Sequence, residues 1–176
     1  MSEKKVNVSG NLSPEPLPVA TAEARAEAPL LVSGIEAVVR SRLQTVFSDT
    51  LLIDVAARLS SAQISVVVVC DSAGKAMGTI TETVLVKRLG LGQADFFGTR
   101  AGDVMTQEFT TCEPQDLLSD VLAMMHARGL IHVLLIGTNH QLIGVLNARD
   151  GLRALLAAGN HEEALLRNYV MGIGYH

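Results

Sequence analysis

The sequence predicts an α+β fold in which two β-α-β-β-α units pack sheet to sheet about a pseudo-twofold axis. Three observations carry this expectation. At a shift of 66 residues the chain repeats itself without a gap: Asp54-Val55 falls on Asp120-Val121, Leu51-Leu52 on Leu117-Leu118, Val67 on Val133 and Gly78 on Gly144. Within each copy, helical and strand periodicities alternate in the same order. Finally, 48% of the residues are hydrophobic but only 3% aromatic, so an aliphatic core can be shared by two small units. A unit of this kind exposes one apolar sheet face when alone, which is why two copies must pack together.

Residues 1–33 differ from the rest. Pro14, Pro16, Pro18 and Pro29 interrupt regular structure, and the stretch from Thr21 to Ala28 lacks an apolar stripe, so a flexible arm is expected. The first repeat spans residues 34–100. A short extended segment around Leu43 to Phe47 precedes Ser48-Asp49-Thr50, a helix-capping cluster, and Leu51, Leu52, Val55, Ala56 and Leu59 then share one helical face. Ile64 to Cys70 reads as a strand buried on both faces. Asp71 to Lys75 is a turn, Ala76 to Ile80 returns as the hairpin partner, and Thr81 caps a helix reaching about Leu89.

The second repeat, residues 101–158, retraces this order. Asp116 is placed to cap a helix carrying Leu117, Leu118, Val121, Leu122 and Met125, which stops at Gly129. Strands Ile131 to Ile136 and Leu142 to Leu146 flank a turn, and Asn147 opens a helix to about Ala158. In the tail, residues 159–176, Leu165, Leu166, Tyr169 and Val170 lie at helical spacing, for docking on the same domain or on a second copy.

Charge and composition exclude several functions. A net charge of −4, with no basic stripe and no interleaved aromatics, argues against nucleic-acid binding. No apolar run reaches the roughly 18–20 residues a membrane span needs, and no apolar block follows the N-terminal lysines, so a cytoplasmic protein is expected. Cys70 and Cys112 form neither a disulfide framework nor a zinc motif, which suits a reducing compartment. The histidines show no metal-binding spacing, and Ser72-Ala73-Gly74-Lys75 lacks the first glycine of a phosphate loop and reads as a turn. With no nucleophile–base pair and no carboxylate dyad, an enzyme is not expected.

The segment that carries chemistry is Gly144-Val145-Leu146-Asn147-Ala148-Arg149-Asp150, a strand running directly into a helix N-terminus. Such a terminus presents backbone N–H groups and a positive dipole end to phosphate. Asn147 can donate an amide to that phosphate, Arg149 can neutralise it, and Asp150 can accept from two neighbouring ribose hydroxyls. The same residues equally suit ordinary capping, with Asn147 at the N-cap and an acid one turn in.

The repeat makes a resemblance specific. Ile64 to Val69 with Gly78-Thr79-Ile80-Thr81-Glu82 resembles the core of a CBS domain, and Ala101 to Thr106, Ile131-His132-Val133 and Gly144 to Asp150 resemble the opening, middle and close of a second. The resemblance covers roughly residues 34–158 and implies a paired module with two clefts that take adenosine ligands such as AMP, ADP, ATP, NAD or S-adenosylmethionine, AMP first among them. It also implies a homodimer through the helices, signalling to a separate effector protein, and no catalytic residues. The family pattern of Ser or Thr, two residues, then Asp is met by Asn147 and Asp150, with Asn in place of the hydroxyl. In the first copy Thr81 matches but Val84 replaces the acid.

By the same resemblance the Asp150 cleft is lined by Val39, Gln44, Ile64, Ser65, Ile131, His132, Val145, Asn147 and Arg149, with the apolar members against a purine. His132 reads either as a partnered structural residue or as a ligand contact. The opposite cleft would draw on Met105, Thr110, Leu130, Ile131, Thr79, Thr81 and Val84 and bind weakly or not at all. The function expected is a regulatory adenosine-nucleotide sensor; the alternative is a structural or protein-interaction dimer whose cleft is vestigial.

Overall fold

The computed structural model describes residues 29–91 and 95–159. A 3-10 turn, Val32–Ile35, leads into α1 (Glu36–Ser41), followed by β1 (Thr45–Phe47), α2 (Leu52–Ala62), β2 (Val66–Cys70), β3 (Ala76–Thr81) and α3 (Glu82–Gly90). The second half continues with α4 (Ala101–Val104), β4 (Thr111–Cys112), α5 (Leu118–Ala127), β5 (His132–Ile136) and β6 (Leu142–Asn147). A last helix, α6, is described over residues 148–159. The helix expected around Leu165 to Val170 lies outside the described residues, as does most of the N-terminal arm.

Each half forms a three-stranded sheet, ordered β1-β2-β3 and β4-β5-β6, with the first pair parallel and the second antiparallel. The 66-residue shift maps β2 onto β5 and β3 onto β6 without remainder, including a bulge at Val69/Cys70 that recurs at Leu135/Ile136. The expected two-sided burial of β2 is observed. Val67 and Val69 face α2 and α3, while Val66, Val68 and Cys70 meet Leu134 and Val145 of the second sheet. Each such fully buried Val or Leu contributes about 1.5–3 kcal/mol, so the sheet-to-sheet layer is a principal bond between the halves.

The opening helices are exchanged. Val39 of α1 and the preceding Val32 complete the core of the second half, whereas Ala101 and Val104 of α4 complete that of the first. Glycine permits the close approach: a Cβ on Gly144 of β6 would stand 2.5 Å from the Val39 carbonyl oxygen. Its counterpart Gly78 on β3 faces the Thr106 carbonyl in the same way, where Thr79 and Thr106 exchange backbone hydrogen bonds of 2.9 Å.

This exchange changes two sequence expectations. Residues 30–33, placed with the arm, are part of the packed fold: Val32 is fully buried, Leu31 bridges Leu117, and the Val32 N–H donates to the Asp116 carbonyl at 3.0 Å. The helix starts are also capped differently. Leu51 and Leu117 occupy the N-cap positions of α2 and α5, without side-chain caps. The first helical N–H groups go instead to main-chain carbonyls from the opposite half's entry segment, Leu52 to Thr99 and Leu118 to Leu30. Thr50 and Asp116 are left to accept turn hydrogen bonds from Phe47 and Glu113.

Both cysteines are buried and unbridged. Burial, aided by Asp116, pushes the Cys112 thiol up to about 12, and burial with Asp71 raises Cys70. No helix among the described residues is long and apolar enough to cross a membrane.

Candidate functional site

Two cavities of similar size, about 780 and 760 Å³, open where the sheets meet the first turns of α6 and α3. Ser65, Val66, Glu82, Ile131 and His132 line both, so a single wall separates them. The wall is built symmetrically. Main-chain hydrogen bonds from Ala148 to the Ile131 carbonyl (3.0 Å) and from Glu82 to the Ser65 carbonyl (3.2 Å) tie each helix start to the strand entry beside it.

In the first cavity the structure brings together eight of the residues named from sequence: Ile64, Ser65, Ile131, His132, Val145, Asn147, Arg149 and Asp150. Val39 and Gln44 are not brought to it. Val39 is buried under β6 in the second core, and Gln44 uses its carbonyl to accept from the Val68 N–H at 2.9 Å, extending the β1–β2 pairing. Ile64 and Val145 are buried, but Ile131 is 64% exposed. These side chains form an apolar wall beside the helix terminus, a surface suited to a flat heterocycle.

The polar half is organised around Asn147. Its Oδ1 accepts from the Arg149 N–H at 2.8 Å, an N-cap that also fixes which way the amide points. Nδ2 then faces His132 Nε2 at 3.3 Å, and the Ser65 hydroxyl reaches the same nitrogen at 2.8 Å. An amide N–H can only donate, so this network assigns the Nδ1–H tautomer to a neutral His132. Burial pushes the imidazole below its usual range, in agreement. His132 is therefore a partnered residue, and it also lines the cavity.

Arg42, at the C-terminal end of α1, was not singled out from sequence. Its Nε donates to Asp150 Oδ2 at 2.8 Å and its Nη2 to Oδ1 at 3.3 Å, while Arg153 lies 3.9 Å from the same carboxylate. The Asp150 side chain is only 9% exposed. The repeat held the signal, since Arg42 and Asp150 map onto Glu108 and Val84, and the shift exposes both changes together.

The second cavity is lined by Thr79, Thr81, Thr110, Leu130 and Ile131 as expected, whereas Met105 and Val84 pack against the first core instead. Its charged residues are Glu82, Glu108 and Arg128, against Arg42, Arg149, Arg153, Glu82 and Asp150 in the first. Of these two cavities, among the described residues, the first alone combines an excess of cations with a largely buried acid.

Comparison with known proteins agrees with this architecture. The CBS-domain family model matches residues 35–90 and 101–157. Among solved structures, a CBS-domain protein of Agrobacterium tumefaciens aligns at 25% identity over 71% of this chain and 98% of its own, with a TM-score of 0.64. The CBS-pair protein CBSX2 of Arabidopsis thaliana aligns at 18% identity over 76% and 99%, with a TM-score of 0.65, and CBSX2 is also solved in complex with AMP. The CBS domain pair of protein MJ0100, in complex with 5′-methylthioadenosine and S-adenosylmethionine, aligns at 17% identity over 75% and 99%, with a TM-score of 0.63. A comparison with curated proteins gives no match.

Proposed function

The chain belongs to the CBS-domain family, and from that premise we propose that it is a regulatory sensor whose first cavity takes an adenosine nucleotide, AMP foremost. The observation that carries this reading is Asp150, a largely buried carboxylate at the start of α6 beside an apolar wall and three arginines. The ribose hydroxyls would donate to Asp150. The base would lie along Ile64, Ile131 and Val145, and the phosphate at the α6 terminus near Arg149. The AMP complex of CBSX2 supports the ligand class.

The site binds without catalysis and acts by redistributing conformations. The shared wall at Ser65 and His132 offers a route from one cavity to the other, and a ligand shifts the equilibrium only by its differential affinity for the two arrangements. Exposed apolar side chains on α3 (Val86, Leu89) and α6 (Leu152, Leu156) support a homodimer formed through these helices and read by a separate effector. The buried free thiols are suited to the cytoplasm.

Titration calorimetry with AMP, ATP and NAD on the wild type and Asp150→Ala tests the reading. Binding by the wild type and its loss in the variant are expected. No binding to the wild type, or equal binding to both, overturns it. A second reading, an interaction dimer with a vestigial cleft, is favoured by Val84 in place of the second acid and predicts an unchanged thermal midpoint with every nucleotide.

A further inference from the structure

We infer that Arg42 makes the Asp150 cleft selective for phosphorylated nucleosides over neutral ones, by occupying the ribose-binding carboxylate until a ligand supplies a replacement anion. The inference rests on the proposed adenosine-nucleotide site. Arg42, at the C-cap of α1, holds both Asp150 oxygens, at 2.8 and 3.3 Å. A carboxylate offers about four lone-pair directions, and a two-pronged guanidinium takes the best-aligned pair. Vicinal hydroxyls need the same oxygens, so a ribose can bind well only if Arg42 yields or shares them.

The two classes of ligand face different balances. Adenosine displaces Arg42 and leaves its guanidinium, on a side chain 39% exposed, with partial hydration in place of its counter-ion. AMP displaces it too, but brings a phosphate into the same cavity, which Arg42 also lines, and restores a charge-assisted pair. The resulting preference comes from the internal competitor as well as from direct phosphate contact. The repeat provides an internal comparison. The repeat positions equivalent to Arg42 and Asp150 hold Glu108 and Val84, so the competitor and the acid it guards are absent together from the second copy's site.

The experiment measures adenosine and AMP affinities calorimetrically for the wild type, Arg42→Gln and Arg42→Lys. Freeing Asp150 in Arg42→Gln should tighten adenosine about three- to tenfold, the lower part of what a charge-assisted hydrogen bond allows because the pair is partly exposed. AMP should hold or weaken, so the AMP-to-adenosine preference narrows by about threefold or more. Arg42→Lys, which keeps the charge but not the two-pronged geometry, should fall between. A gain in adenosine affinity cannot come from a misfolded variant. If AMP binds and Arg42→Gln leaves adenosine unchanged or weaker, the competition is refuted while the nucleotide site stands. If neither ligand binds any of the three proteins, the site itself is refuted and the inference falls with it.

Discussion

Gly144→Ala probes the contact that joins the halves. The backbone at Gly144 needs no left-handed conformation, so only space opposes a side chain. That space is missing: the added Cβ would meet the Val39 carbonyl oxygen at 2.5 Å, its carbon at 2.7 Å and Val39 Cγ1 at 2.7 Å. Two of these are main-chain atoms of α1, which cannot rotate away, so the helix must shift off β6. Forcing extra volume into a packed site costs about 1–3 kcal/mol, and a backbone obstacle places this case at about 2–3 kcal/mol. For a chain of 176 residues that converts to a fall of about 4–12 °C in Tm. Gly78→Ala is the matched control. It meets the Thr106 carbonyl at 2.8 Å, but its other neighbours are Sδ and Cγ of the flexible Met105 side chain, at 2.9 and 3.0 Å, so it should cost less. Calorimetric unfolding of both variants checks the ranking. A Gly144→Ala protein within about 0.5 kcal/mol of wild type, or one less affected than Gly78→Ala, refutes the close-approach argument.

Two further outcomes follow from the core and the wall. Val32→Ala, in a segment that reads as part of an arm but is fully buried, should lower unfolding free energy by about 2 kcal/mol, measured by urea denaturation, whereas an undocked segment would give no change. His132 has a folded-state affinity for protons below its ordinary value of 6.5, so the unfolded chain takes up the proton first, and stability should decline as pH falls below about 6.5. His132→Gln should flatten that decline in stability profiles between about pH 5 and 7, and parallel wild-type and variant profiles would contradict the assigned neutral imidazole.

The fold was legible in the sequence because its strands are set by local pattern. The run Val66 to Cys70 is β-branched almost throughout and flanked by turn residues, and the 66-residue shift carries it onto its counterpart in the second copy. What was not legible depends on chain segments meeting from a distance. The sequence offers caps in Ser48-Asp49-Thr50 and at Asp116, but the carbonyls of Thr99 and Leu30 satisfy the helix N–H groups, and no local signal marks a carbonyl supplied from the other half. Val39 and Gln44 fail to reach the cavity for a related reason. The exchange of opening helices presses Val39 onto Gly144, and the β1–β2 pairing claims the Gln44 carbonyl. The same exchange is what carries Arg42 to Asp150.

That exchange gives the asymmetry between the clefts a mechanical meaning. α1 is held to the second half by the buried Val39 and, at its end, by the Arg42–Asp150 pair. A ligand that takes Asp150 from Arg42 therefore loosens one end of the helix that completes the opposite half's core. The equivalent positions are Glu108, beyond the end of α4, and Val84, on α3, which cannot form such a link. On the proposed sensor reading, an event at the first cleft would be transmitted through α1, and no matching link joins the second cleft to α4. On the same reading, the two repeats carry one connection that would respond to a sugar phosphate, and the direction of signalling would be set by the copy that holds Asp150 and the Arg42 facing it.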